Sequence, residues 1–392
     1  MQNLLVILGT RPEAIKLAPV ILELESRGYR LSLCNTEQQK ELSNQTLAHF
    51  GLRPSFRLDC MREDQSLCSL QARILSTLEG VLSRGDYKAV IVQGDTMSAF
   101  CGGLASFYHK LPFFHVEAGL RSKNLLEPFP EEALRVMLSR LATLHFTPTP
   151  LATKTLLEEG VARDSIIESG NTVLDALFCL GEAALEKSRL FWHEAGLDLE
   201  SKLVLATLHR RENHGARLDS LLRALARLAS DFRDHNFVLP VHPNPRVKHD
   251  LEKALSGLPN VLLCPPLDYP NLVLLMKHSR LIITDSGGLQ EEAPSFGVPL
   301  LVTRYQTERP EGVAAGFAKL VGANCDLLVN EAIKILSQPS TRLDKPNPYG
   351  NGRARFEIAK AIEAFFALRD TSPGGGGGCT YPNPVGTQGR IR

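Results

Sequence analysis

The stretch from Leu4 to Lys16, LLVILGTRPEAIK, decides the fold. Leu4 to Leu8 is an apolar run that stops at Gly9, as a buried parallel strand feeding a turn does. A dinucleotide-binding strand would continue with G-x-G-x-x-G. Here Thr10, Arg11, Pro12, Glu13 and Lys16 follow instead. The strand–turn–helix pattern therefore predicts a nucleotide-type α/β fold whose first loop carries cations in place of glycines.

Outward from that stretch the same alternation continues. Strands are expected at 3–8, 30–35, 88–93, 112–116, 144–147 and 166–168, with amphipathic helices between them. A second series is expected at 202–208, 236–241, 260–264, 280–284 and 298–303. Alternation of this kind implies α/β architecture with a doubly wound parallel sheet, and two series imply two Rossmann-like domains. Residues 1–170 are assigned to the first domain and 171–350 to a second. One long helix is expected to follow the hinge at Ser169 and Gly170, with Trp192 packed on it. A last helix at 351–369 is free to pack back on the first domain, and the Gly/Pro-rich 370–392 is expected to be disordered.

Composition narrows the function classes. Of 392 residues, 44 are Lys or Arg and 43 Asp or Glu, a formal net charge of +1. That balance argues against a polybasic surface for nucleic acid or anionic membrane. No apolar run approaches the length of a membrane span, and the N-terminal residues lack the pattern of a signal peptide. The eight cysteines form no C-x-x-C pair, so reduced thiols in a cytoplasmic protein are expected, with no metal site.

In such folds ligands bind outside the carboxyl ends of the strands, here in a cleft expected between the two sheets. Ionisable residues cluster there: Asp95 after IVQG, Glu117 and Arg121 in HVEAGLR, His209 in HRREN, His242 in HPNP, and Asp285 in DSGGLQEE. Ser286, Gly287 and Gly288 are expected to open a helix whose free N–H groups and dipole suit a phosphate. An ordinary capped helix is the other reading; nearby Arg11, His209 and Arg309 favour a diphosphate. Glu292, one turn on, is placed to accept from ribose hydroxyls. Asp95, Glu117 and Glu131 would repel a diphosphate unless they act elsewhere on the ligand, and acid–base work on a sugar fits them. Structural readings stand beside these. Glu131 also suits a first helical turn with Arg135 as its ion-pair partner, and Asp95 could cap a helix starting near Thr96. His209, beside two arginines, has its charged form disfavoured and is suited to proton transfer near neutral pH.

The ordered set GTRPEAIK, GDT, HVEAGLR, PFPEE, HRREN and DSGGLQEEAPSFGVP resembles the non-hydrolysing UDP-N-acetylglucosamine 2-epimerases from about Met1 to Leu368. The resemblance implies a GT-B-like fold, a homodimer, and interconversion of UDP-GlcNAc and UDP-ManNAc for envelope or capsular polysaccharide. It assigns Asp95, Glu117, Glu131 and His209 to catalysis. It assigns Arg11, Lys16, Leu267, Leu272, Ser286, Gly287, Gly288, Glu292 and Arg309 to the substrate. Gln38 and Arg73 match, and Gln39 occupies, a segment that in bacterial members helps bind a second, activating UDP-GlcNAc. Several positions depart from the family pattern. TEQQ carries Glu37 and Gln39 where the family has a small residue and histidine, Leu134 replaces an asparagine, and Leu272 replaces an aromatic.

The C2 proton of the sugar is not adjacent to a carbonyl. Redox activation would need NAD, for which the chain carries no fingerprint and no cofactor is expected. Elimination of UDP to a 2-acetamidoglucal and re-addition fits the residue set better: Arg11, His209, Ser286 and Arg309 for the departing diphosphate, the carboxylates around C1 and C2. Which carboxylate takes the proton is left open, Asp95 being the first choice. A hydrolysing epimerase, a GT-B glycosyltransferase and a non-catalytic UDP-sugar sensor remain as rivals.

Overall fold

A computed structural model describes residues 2–208, 215–241 and 244–370. Two compact units divide the chain at Asp175 and again at Asn351, the second unit being Ala176–Asn351.

The first unit contains seven strands: β1 (Asn3–Leu8), β2 (Arg30–Asn35), β3 (Phe56–Arg57), β4 (Ala89–Gln93), β5 (Phe113–Val116), β6 (Leu144–Thr147) and β7 (Ile166–Glu168). They form one sheet in the order β3-β2-β1-β4-β5-β6-β7, every pair parallel. Leu5, Ile7, Val90, Val92 and Phe113 come from β1, β4 and β5 into a core shared with Ile74 and Leu78 of helix Leu67–Leu82 and Leu138 of helix Glu131–Leu141. The sheet interior is apolar on both faces because helices cover both. Helix Ala354–Asp370 belongs to this unit. The Phe365 ring packs edge-on to Phe114, 5.1 Å between centroids, and Arg27 pairs with Glu363 at 2.8 Å. Asp175 caps that helix, accepting from the N–H groups of Ala354 and Arg355 at 3.1 Å each.

The second unit has six strands: β8 (Lys202–Thr207), β9 (His235–Pro240), β10 (Val261–Cys264), β11 (Ser279–Thr284), β12 (Leu300–Val302) and β13 (Ala318–Leu320). Their order is β10-β9-β8-β11-β12-β13, again all parallel. Val204, Leu225, Phe237, Leu281, Ile283, Leu301 and Leu328 lie in its core.

The alternation is as expected from the sequence, with three differences. The edge strands β3 and β13, two and three residues long, were not anticipated; elements so short carry too little periodicity to read. The single helix after the hinge is two, Thr172–Cys179 and Glu182–Glu194, broken at Gly181, which is the N-cap of the second. Trp192 lies within that second helix, fully buried, edge-on to Phe191. Among the described residues no helix is long and apolar enough to cross a membrane. Their cysteines are all free, and they hold no cluster that could bind a metal ion. Residues 371–392 of the expected tail lie outside the described residues.

Candidate active site

The first loop is built around a residue that sequence reasoning passed over. Helix Arg11–Ser26 starts after N-cap Thr10, and Glu13 turns back beneath it. The Glu13 carboxylate accepts from the N–H of Gly9 (3.0 Å) and of Thr10 (2.8 Å), and from the hydroxyls of Thr10 and Thr96, each at 2.7 Å. Burial pushes its pKa up to about 7, against those hydrogen bonds, which favour the charged form. Thr96 is also the N-cap of helix Met97–Tyr108, accepting from the Ala99 N–H at 3.1 Å. One carboxylate thus fastens the Arg11 loop to the loop that carries Asp95. The signal was present: T-x-x-E before a helix is a capping pattern. Gly9 answers to packing. A Cβ there would lie 2.1 Å from Thr36 Oγ1 and 2.2 Å from Ser98 Oγ.

TEQQ is fastened to the same loop. The Gln39 N–H donates to the Gly9 carbonyl at 2.7 Å, and its side-chain oxygen accepts from the Arg11 N–H at 3.0 Å. Gln38 accepts from Ser98 at 2.9 Å. Glu37 is buried in the left-handed region at φ 58° and accepts from Asn44 at 2.9 Å. Arg73 donates to the Cys60 carbonyl at 2.9 Å and to Gln65.

Strands β4 and β5 are neighbours and deliver two of the expected carboxylates. Asp95 lies two residues past β4 and pairs with buried Arg135, which is also 3.3 Å from Glu132. Thr96, not Asp95, therefore caps the helix, and Arg135 serves Asp95 and Glu132. Glu131 is the first residue of helix Glu131–Leu141, as expected. Glu117 follows β5 in the left-handed region at φ 64°. Its carboxylate accepts from Gln93 at 3.0 Å and pairs with Lys16, whose side chain is 5 % exposed. A non-glycine residue held in that conformation costs about 1–3 kcal/mol, and such outliers concentrate at functional sites. Lys16, assigned to the substrate by the resemblance, pairs in the structure with Glu117. Arg121 makes a bidentate pair with Glu159, both bonds 2.8 Å.

In the second unit β11 leads through Asp285 to Ser286, the N-cap of helix Gly287–Glu292. A Cβ on Gly287 would come within 2.8 Å of the Arg309 guanidinium carbon, so only glycine lets that cation lie on the helix start. At Gly288 a Cβ would make only ordinary contact, 3.5 Å from Glu292 Oε1. Arg309 is held by Glu291 at 2.8 Å and by Glu308, and Glu308 also pairs with Arg304 at 2.8 Å. Glu292 accepts from the Tyr269 hydroxyl at 2.9 Å. Leu267 is buried, and Leu272 lies half-buried on helix Tyr269–His278. His209 and His242 lie outside the described residues.

A family model described as UDP-N-acetylglucosamine 2-epimerase matches residues 22–363. The chain belongs to the UDP-N-acetylglucosamine 2-epimerase family. A curated relative from Ralstonia nicotianae, named a probable UDP-N-acetylglucosamine 2-epimerase, is 42% identical over 94% of this chain and 100% of its own. The Yersinia pestis UDP-N-acetylglucosamine 2-epimerase is 41% identical over 92% of this chain and 98% of its own. The crystal structure of the Neisseria meningitidis epimerase bound to UDP-GlcNAc is similar at TM-score 0.86 and 40% identity. It covers 93% of this chain and 100% of that one. The two parallel sheets and these likenesses give this family member the GT-B-like class expected from the sequence.

Proposed function

We propose that the chain interconverts UDP-GlcNAc and UDP-ManNAc by eliminating UDP to a 2-acetamidoglucal and adding it back. The observation that carries this reading is the pair of carboxylates on neighbouring strand ends, Asp95 with Arg135 and Glu117 with Lys16. Each carboxylate has a buried cation beside it, which holds it in place at its strand end. Family membership and the UDP-GlcNAc-bound Neisseria relative support the substrate.

In this reading the first unit does the acid–base work. Asp95, Glu117 and Glu131 act about C1 and C2: one removes the C2 proton as UDP leaves, and another returns a proton to the opposite face. Arg11 and His209 help stabilise the leaving diphosphate. The second unit holds the UDP. The helix-start N–H groups of Gly287 and Gly288 and the Arg309 cation take phosphate oxygens, and Glu292 takes the ribose. Leu267 and Leu272 form an apolar seat for the base. Gln38, Gln39 and Arg73 remain the candidates for a second nucleotide-sugar site. The reaction would serve polysaccharide synthesis in the cytoplasm, as a homodimer, a state that light scattering reads directly.

Proton NMR of UDP-GlcNAc with the protein in deuterated water tests the reaction. Expected is UDP-ManNAc with deuterium at C2 of both sugars. Free ManNAc would instead mean hydrolysis, UDP released only with an acceptor would mean transfer, and no turnover with UDP bound would mean a sensor. Asp95→Asn and Glu117→Gln are expected to abolish turnover and still bind UDP by calorimetry. Near wild-type rates in either would remove that residue from the catalytic set.

A further inference from the structure

His115 sits under the corner that carries Asp95. It is the third residue of β5, paired in register with Val92 of β4 and 1% exposed. Its Nε2 is 2.7 Å from the Gly94 carbonyl oxygen. A carbonyl only accepts, so Nε2 carries the proton and donates. The Gly94 N–H meanwhile donates to the Val116 carbonyl at 3.0 Å. The corner before Asp95 is therefore gripped on both its N–H and its C=O by consecutive residues of β5. The residue that follows that strand is Glu117.

We infer that His115 is a positioning residue that fixes the Asp95 carboxylate relative to Glu117. The inference rests on the acid–base reading of those two residues. Burial excludes His115 from touching substrate itself. Burial also pushes its pKa down to about 3, so the imidazole is neutral at any working pH and keeps one tautomer. Among the described residues Nδ1 has no hydrogen-bond partner. The ring thus makes one side-chain hydrogen bond, and that bond goes to the corner. Acid–base steps depend on placement: an error near 1 Å costs on the order of a hundredfold in rate. Releasing the Gly94 carbonyl frees the peptide that leads into Asp95, while β5 keeps Glu117 in place.

Two substitutions separate this role from simple packing. His115→Phe keeps a ring in the core and removes the donor. His115→Gln keeps an N–H donor near the position of Nε2. Steady-state turnover of UDP-GlcNAc, UDP binding by calorimetry and the thermal midpoint are measured for each, with Asp95→Asn as reference. His115→Phe is expected to lower kcat at least about tenfold, with KM and UDP affinity unchanged. His115→Gln is expected to recover kcat to within about threefold of wild type, because the donor is restored. Unchanged kcat in His115→Phe overturns the inference, as do equal losses in both variants that track the thermal midpoint. Should His115→Phe fail to fold, His115→Gln decides alone: a folded Gln variant with kcat reduced a hundredfold overturns it. An inactive Asp95→Asn beside an unimpaired His115→Phe overturns this inference alone. An active Asp95→Asn overturns the acid–base reading and this inference with it.

Discussion

At the scale of single residues, what stands out is how many ionisable groups are buried and spoken for. Glu13 is 1% exposed and held by four donors, and burial still pushes its pKa up to about 7 from 4.5. A raised carboxylate binds its proton more tightly folded than unfolded. Its contribution to stability is therefore greatest below pH 4.5 and is lost as pH rises through 7. That rise corresponds to about 3 kcal/mol. In denaturant titrations the stability advantage of wild type over Glu13→Gln is expected to shrink by that amount between pH 4 and pH 8. A constant difference would mean that Glu13 does not titrate in that window. Gly287 and Gly288 divide by a different test. Gly287→Ala pushes the Arg309 guanidinium off the helix start and is expected to lower stability by about 1–2 kcal/mol, along with UDP affinity. Gly288→Ala makes only ordinary van der Waals contact, 3.5 Å from Glu292, and is expected to lower only UDP affinity, by about tenfold, read by calorimetry and thermal melts.

Element boundaries show where local chemistry was and was not legible. Thr96, Asp268 and Asn324 cap helices with side-chain bonds to N3, as their residue types announce. Helix Met97–Tyr108 ends less predictably. Lys110 sits at φ 56°, while Leu111 N–H reaches back to the Ser106 carbonyl at 2.9 Å and Lys110 N–H to Phe107 at 3.0 Å. That is a left-handed helix end, where glycine is the comfortable residue and lysine is strained. Lys110 is exposed, so Lys110→Gly is expected to stabilise the chain by about 1 kcal/mol, a rise of a few degrees in a calorimetric melt. An unchanged or lower midpoint would show that the lysine stem contributes packing that outweighs the strain. The two short edge strands and the break at Gly181 escaped the sequence for a related reason: a two- or three-residue strand has no period, and a lone glycine breaks a helix only when packing favours it.

For the molecule as a whole, the first unit is closed by contacts between residues remote in sequence. Asp175 caps helix Ala354–Asp370 across 179 positions, and that helix lays Phe365 and Phe366 on Phe114 of the first sheet. Asp175→Leu leaves two helix-end N–H groups without their acceptor at a cost of about 2 kcal/mol. Hydrogen exchange is expected to accelerate throughout 354–370 in that variant while β1 and β4 stay protected. Uniform acceleration would mean that the helix and the sheet open together.

By itself the sequence determined two parallel α/β units, the family, and the identity of the ionisable residues at the strand ends. It could do so because strand apolarity, helix periodicity and motif order are local properties written along the chain. Only the tertiary structure decided which charge each of those residues faces. Lys16 meets Glu117, Arg135 meets Asp95 and Glu132, Arg309 meets Glu291 and Glu308, and His115 holds the corner before Asp95. These partnerships join neighbouring strands, or loops far apart in the chain. They are set by sheet order and by the need to satisfy each buried charge with an opposite one or a hydrogen bond, conditions that exist only once the chain has closed on itself.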